Sequence, residues 1–285
     1  MADSFYEQHL GRSEREADRL NEQFDLFTSN IGYLVHPRIK AALGSKPWVA
    51  DVGTGTGIFL QRLDELQAFP GAVMHGWDLS SVMFPSPVPD HMTLSLLDLK
   101  QPIPKELHNK YDLVHARMLS VAFEPSERTP AVANAVQLLK PGGWLQWEEP
   151  DLAQAGVSQS HVDAKTDALQ YLVQTFFTAF STRVFPNWNL SSDMQAAGLT
   201  SIVRDCPTSD RVPETREAVA VNFTGLMHHL MCVLRPQEKE ECERVRRESL
   251  EEIKAGCYLR FGFYVACGQK PLQAQDGSTE AKPHL

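Results

Sequence analysis

The residues best suited to chemistry in this 285-residue chain stand in and after the run WVADVGTGTG, Trp48 to Gly57. Asp51 precedes three alternating glycines, Gly53, Gly55 and Gly57, with Thr54 between the first two. Glycine at alternate positions lets the backbone turn sharply and lets a ligand lie directly against it. The run opens with β-prone Trp48, Val49 and Val52 and is followed by Ile58-Phe59-Leu60-Gln61-Arg62-Leu63, apolar at helical spacing. Strand, loop and helix therefore succeed one another, and the loop reads as the floor of a nucleotide-type cofactor site. The dinucleotide fingerprint fails, because its third glycine falls on Ile58 counted from Gly53 and on Leu60 counted from Gly55. A phosphate-gripping G-K-[ST] ending is excluded as well, since the loop holds no lysine.

Other side chains extend this set. Asp78 ends a strand predicted over 72–78 and lies 21 residues past Gly57; its two oxygens suit a pair of ribose hydroxyls. Asp98-Leu99 follows a third strand over 92–97 and offers an acid for an adenine amino group and an apolar cover for the ring. A fourth, buried strand over 111–117 ends in His115, Ala116 and Arg117, which would meet the cofactor. His36 and His115 are the candidate general bases near neutral pH, with hydrogen bonding to the cofactor an equal reading of His115. Arg117 could hold a ligand carboxylate or pair with Glu148 or Glu149. Phe176, Phe177, Trp188 and Met227 offer an apolar substrate cleft, or simply core. His228-His229 shows no third ligand at metal spacing, so no metal site is expected.

The elements that must position these residues follow in order. Ser13-Glu14-Arg15-Glu16 has the form of a capping box, and Leu20, Phe24, Phe27 and Ile31 recur at helical spacing, predicting an N-terminal helix to Asn30. A short helix over 37–46 precedes the first strand. The prolines between Ser80 and Pro89 preclude regular structure. A helix over 127–139 leads through LKPGG into a fifth strand, Trp144 to Glu148. Past Pro150 the pattern changes: an aromatic-faced helix through Leu169 to Phe180, a helix over 189–197, a strand over 200–206, an apolar helix through Val219 to Leu234, a charged helix from Pro236 to Lys254 and a last strand over 257–267. Residues 270–285 read as a frayed tail.

In that order and at that spacing, DVGTGTG, WDLS, LLDL, YDLVHARML and LLKPGGWLQWEE resemble class I S-adenosylmethionine-dependent methyltransferases over about residues 46–150. The resemblance implies a Rossmann-like α/β fold with a mostly parallel seven-stranded sheet, an N-terminal helical lid (1–45), a cofactor-binding core (46–150), substrate-lid helices and closing strands (151–269) and a tail (270–285). Right-handed crossovers make the parallel sheet the natural solution. It also implies S-adenosylmethionine as cofactor and S-adenosylhomocysteine as product. Their binding residues would be Tyr33, Asp51, Gly53, Thr54, Gly55, Gly57, Asp78, Leu79, Met83, Asp98, Leu99, His115, Ala116 and Arg117. A cofactor with an ammonium and a sulfonium but no phosphate suits a loop flanked by carboxylates.

YLVHP before the loop and Met83-Phe84-Pro85 after WDLS further resemble fungal secondary-metabolite methyltransferases. That group includes velvet-associated regulators and enzymes that S-methylate the dithiol of gliotoxin-type metabolites. The resemblance implies a small-molecule methyltransferase, with a thiol of a gliotoxin-like dithiol as acceptor. O- or N-methylation of another metabolite, or a non-catalytic regulator, stand as alternatives.

Composition bounds these readings. A net charge of −9 argues against nucleic acid or an anionic membrane as the main partner. No apolar run approaches the ~20 residues of a membrane span, and the polar, acidic N-terminus is no signal peptide. The five cysteines show no C-x-x-C pair, so reduced thiols in a cytoplasmic protein are expected.

Overall fold

The computed structural model describes residues 13–180 and 188–272. The expected tail lies largely outside the described residues. Eight helices and seven strands are described: α1 (Glu14–Ile31), α2 (Pro37–Ala42), β1 (Trp48–Val52), α3 (Ile58–Glu65), β2 (Val73–Asp78), β3 (Met92–Leu96), β4 (Tyr111–Arg117), α4 (Pro125–Leu138), β5 (Leu139–Gln159), α5 (Asp167–Phe180), α6 (Leu190–Ala196), β6 (Thr200–Asp205), α7 (Arg216–Leu234), α8 (Lys239–Lys254) and β7 (Cys257–Gln269).

The strands form one sheet in the order β3-β2-β1-β4-β5-β7-β6. The pairs β1–β2, β2–β3, β1–β4 and β4–β5 are parallel, and β7 runs antiparallel to both β5 and β6. This is the mostly parallel seven-stranded sheet expected from the sequence. Register fixes which residues share a face: Asp51, His115, Gln146 and Cys267 lie side by side across four strands, and Val52, Ala116, Trp147 and Ala266 occupy the next row. Successive side chains point to opposite faces. The first row therefore faces α1, α3, α5, α7 and α8, and the second faces α4 and α6.

Two expectations need correction. The fifth strand does not stop at Glu148 but runs through Pro150 to Gln159. Its far half pairs with Cys257 to Arg260 of β7 after an irregularity between Asp151 and Gly156. A proline cannot donate a ladder bond, but here the continued pairing with β7 carries the strand past it. Second, α7 does have the length and apolar composition of a membrane span. Its Val219, Phe223, Met227, Leu230 and Met231 are instead buried in the main core.

Helix α1 begins as the sequence predicts, with Ser13 accepting from the Glu16 amide at 3.2 Å, while the Glu16 carboxylate grips Arg19. Its apolar stripe is built into the core. Phe27, 2% exposed, packs against the rings of Phe223, Phe261 and Phe263 at centroid distances of 5.7, 5.9 and 4.6 Å. Polar clamps complete the seat: Arg62 of α3 pairs with both Asp25 oxygens at 2.8 and 2.6 Å. Arg211 donates to the terminal carbonyls of Ser29 and Asn30.

Phe27→Ala is expected to cost about 3–5 kcal/mol of folding stability, the usual loss for a buried phenylalanine. Denaturant unfolding of the pure protein measures it; a loss under about 1 kcal/mol would mean that α1 merely rests on the surface.

Candidate functional site

The glycine loop closes against the end of β2. The amides of Gly53 and Thr54 both donate to the Trp77 carbonyl, at 2.7 and 3.0 Å, and the Gly55 amide donates to Asp78 Oδ2 at 2.9 Å. Gly53, Gly55 and Gly57 all have left-handed φ, +69°, +53° and +74°, a region costly for residues with a Cβ. Gly57 is the N-cap residue of α3.

Above the loop lies a trough. Its larger part, about 930 Å³ with its open mouth, is lined by Gly53, Gly55, Asp78, Leu79, Met83, Asp98, Leu99 and Arg117 among others. The adjoining part is lined by Asp51, Thr54, His115 and Arg117, with Phe24 and Phe27 of α1 as a wall. Leu20, Gly53, Gly55, Arg117 and Met118 belong to both, so the trough is continuous. Asp78 Oδ1 and Asp98 Oδ1 also accept from the amides two residues on, of Ser80 and Lys100, which fixes both carboxylates at the carboxyl ends of β2 and β3.

A buried dyad lies on the trough wall. His115 Nδ1 lies 2.7 Å from Asp51 Oδ1, and Asp51 Oδ2 accepts from Thr54 Oγ1 at 2.7 Å. The imidazole stacks on Phe59 at 3.7 Å and 8°. An ionised Asp51 only accepts, so Nδ1 carries the proton and the lone pair of a neutral ring sits on Nε2. Nε2 is buried without a hydrogen-bond partner, 3.9 Å from Glu148 Oε1.

Arg117 is engaged with protein groups. Its Nε and Nη2 both lie 2.5 Å from Glu148 Oε2, Nη1 donates to Thr28 Oγ1 and the Phe24 carbonyl, and the guanidinium covers the Phe24 ring at 4.0 Å. Of the alternatives left open by the sequence, this geometry is the pairing with Glu148. Glu149 points to the other face, accepting from Trp147 Nε1 and from the Leu119 and Ser120 amides. Burial raises its pKa above the usual carboxylate value, and these donors oppose the rise.

Other candidates fall elsewhere. Tyr33 donates to Asp205 Oδ2 at 2.6 Å, and burial and then that carboxylate push its pKa up. His36 caps α2, accepting from the Arg38 amide through Nδ1, with Nε2 3.4 Å from Asp205; neither Tyr33 nor His36 lines the trough. Ala116 packs into the opposite core. Phe176, Phe177 and Met227 belong to the α1-side core, whereas Trp188 lies on the other face, edge-on to Trp147 at 5.4 Å. The expected four-residue substrate cleft is therefore not assembled. Near His228, where the sequence shows no third ligand at metal spacing, the fold brings Cys232 and Glu243 close in space.

The sequence reading missed Leu20, Gln23 and Phe24 on α1 and Met118, Leu119, Val121, Ala122 and Phe123 after β4, all on the trough walls. Met118 holds φ +60°, a strain of about 1–3 kcal/mol that tends to mark functional sites.

Residues 50–145 match the family described as "Methyltransferase domain". Methyltransferase grgD of a Penicillium species is 39% identical over 150 residues, covering 50% of this chain and 52% of grgD. The chain thus spans about half the length of that curated relative. N-methyltransferase tcpN of Claviceps purpurea is 29% identical over 91% of this chain and 95% of its own. The secondary metabolism regulator LAE1 of Gibberella fujikuroi is 26% identical over 77% and 73%. Among solved structures, Haemonchus contortus phosphoethanolamine N-methyltransferase 2 in complex with S-adenosyl-L-methionine matches with a TM-score of 0.52 and 13% identity, covering 94% of this chain and 59% of that one.

Arg117→Met is expected to strand Glu148 as a buried unpaired charge and to cost about 3–5 kcal/mol. If denaturant midpoints of variant and parent coincide, the pairing carries no structural weight.

Proposed function

We propose that this chain, which carries a methyltransferase domain over residues 50–145, is an S-adenosylmethionine-dependent methyltransferase of fungal secondary metabolism acting on a small molecule. The observation that carries the reading is the single trough in which the glycine loop, Asp78 and Asp98 converge at the carboxyl ends of β1, β2 and β3. The fit is chemical as well as spatial. The space above Gly55 is open, nothing lying within 4 Å of a Cβ placed there, and the donor set is carboxylate-rich with no lysine in the loop. Asp78 would take the ribose hydroxyls, Asp98 and Leu99 the adenine, and Asp51 the amino-acid end. When bound, the cofactor supplies an electrophilic methyl group on a sulfonium. The chain binds and orients both partners and keeps water out with α1 and the apolar wall from Leu119 to Phe123, which favours an in-line displacement.

For the acceptor atom we favour nitrogen over the thiol expected from the sequence. The relative covered almost end to end, tcpN, is named an N-methyltransferase. The dyad adds a physical reason: a thiol of pKa ~8.5 is partly ionised near neutrality, but a protonated amine or an amide N–H must lose a proton to react. Nε2 of His115, on a ring held through Nδ1 by Asp51 and itself without a hydrogen-bond partner, is suited to receive that proton.

Asp78→Ala is expected to weaken S-adenosylmethionine binding by roughly 10-fold or more, about 1.5–3 kcal/mol for charged hydrogen bonds, with the fold retained. Unchanged affinity in calorimetric titration sinks the ribose assignment.

His115→Ala, assayed by mass spectrometry on amine, amide and dithiol acceptors, is expected to lose about 100-fold or more in kcat on nitrogen acceptors. Its cofactor affinity should change much less. Efficient turnover of dithiols alone, indifferent to His115, restores the thiol reading; cofactor binding without turnover of any acceptor supports a regulator instead.

A further inference from the structure

The helix pair between β6 and β7 holds a cluster that methyl transfer does not use. His228 and Cys232 stand four residues apart on α7 and so share one face. Glu243 reaches them from α8, across the connection 235–238. His228 Nε2 lies 3.3 Å from Cys232 Sγ and 3.4 Å from Glu243 Oε1, and all three ligand atoms lie within 4.8 Å of one another. Tetrahedral zinc, with bonds of about 2.0–2.1 Å to nitrogen, 2.0–2.2 Å to oxygen and 2.3 Å to sulfur, needs ligand–ligand edges of roughly 3.4–3.6 Å. The two His228 edges are therefore close to the spacing that a metal would impose, and the Cys232–Glu243 edge lies within 4.8 Å.

We propose that His228, Cys232 and Glu243 bind one divalent cation of the zinc class, clipping α7 to α8. An imidazole and a thiolate select such borderline-soft ions over magnesium or calcium, which take oxygen ligands. Burial lowers the pKa of His228, favouring the neutral ring that a metal needs. The thiol of Cys232 is pushed up to about 11, by burial first and then by the neighbouring Cys242 thiol. Binding thus forms a metal–sulfur bond and releases the Cys232 proton to solvent, with no change of oxidation state. The second Glu243 oxygen faces Arg246 at 3.9 Å, leaving Oε1 for the metal. The fourth tetrahedral position remains for solvent.

The test uses the full chain, stripped with chelator under a thiol reductant and titrated with Co²⁺, then with Zn²⁺ in competition. The expected result is one equivalent of Co²⁺ with a thiolate-to-cobalt charge-transfer band in the near ultraviolet, displaced by Zn²⁺. His228→Ala and Cys232→Ser should each lower affinity at least 10-fold, and Cys206→Ser, at an exposed site, should not. Glu243→Gln, a change at an exposed side chain, should keep the fold and also weaken binding. Absence of the band, or affinity indifferent to the changes at 228, 232 and 243, overturns the proposal. Neither outcome bears on S-adenosylmethionine binding in the trough, which none of the three residues lines.

Discussion

Two adjacent carboxylates on β5 hold the end of β4, and the shape of the trough depends on that grip. Strand alternation sends Glu148 and Glu149 to opposite faces. Glu148 takes Arg117 and the Gln146 amide on the α1 side. Glu149 takes the amides of Leu119 and Ser120 on the other. Between them Met118 is fixed in its left-handed conformation, its amide bonded to the Glu148 carbonyl at 3.0 Å. A buried carboxylate persists only with such donors. Removing either grip would release the segment that walls the trough.

The same logic explains how an acidic chain tolerates acids in its core. Asp51, Glu148 and Glu149 are each at most 6% exposed, yet each is matched to its own donors rather than to a shared cation. Asp51 uses a hydroxyl and an imidazole, Glu148 a guanidinium and an amide, Glu149 an indole and two backbone amides. Neutral donors therefore carry much of this work, which avoids the desolvation of further charged groups.

Much of the core was legible because local patterns and tertiary demands agree there. The alternating glycines mark the β1–α3 turn, the apolar run YDLVHAR marks a strand covered on both faces, and the stripe Leu20, Phe24, Phe27, Ile31 marks one helix face. Legibility ended where the partner is remote. Past Pro150, β5 is held by β7, about a hundred residues away, and no local signal announces it. Tyr33 and His36 are engaged by Asp205 of β6, a partner about 170 residues away that no local pattern announces. Phe177 and Trp188 flank one segment of chain but lie on opposite faces of the sheet. The His228 cluster needed a helix hairpin to bring Glu243 across.

Helix α1 is at once wall and keystone: Phe24 and Phe27 face the trough while belonging to the core. Such a helix cannot swing aside as an independent flap, because lifting it unseats Phe27 from three aromatic partners. Occupancy of the trough and integrity of the whole domain are then thermodynamically linked. A ligand at 100 times its dissociation constant would add about 2.7 kcal/mol to stability. That linkage would show as slower amide hydrogen exchange along α1 in the liganded protein.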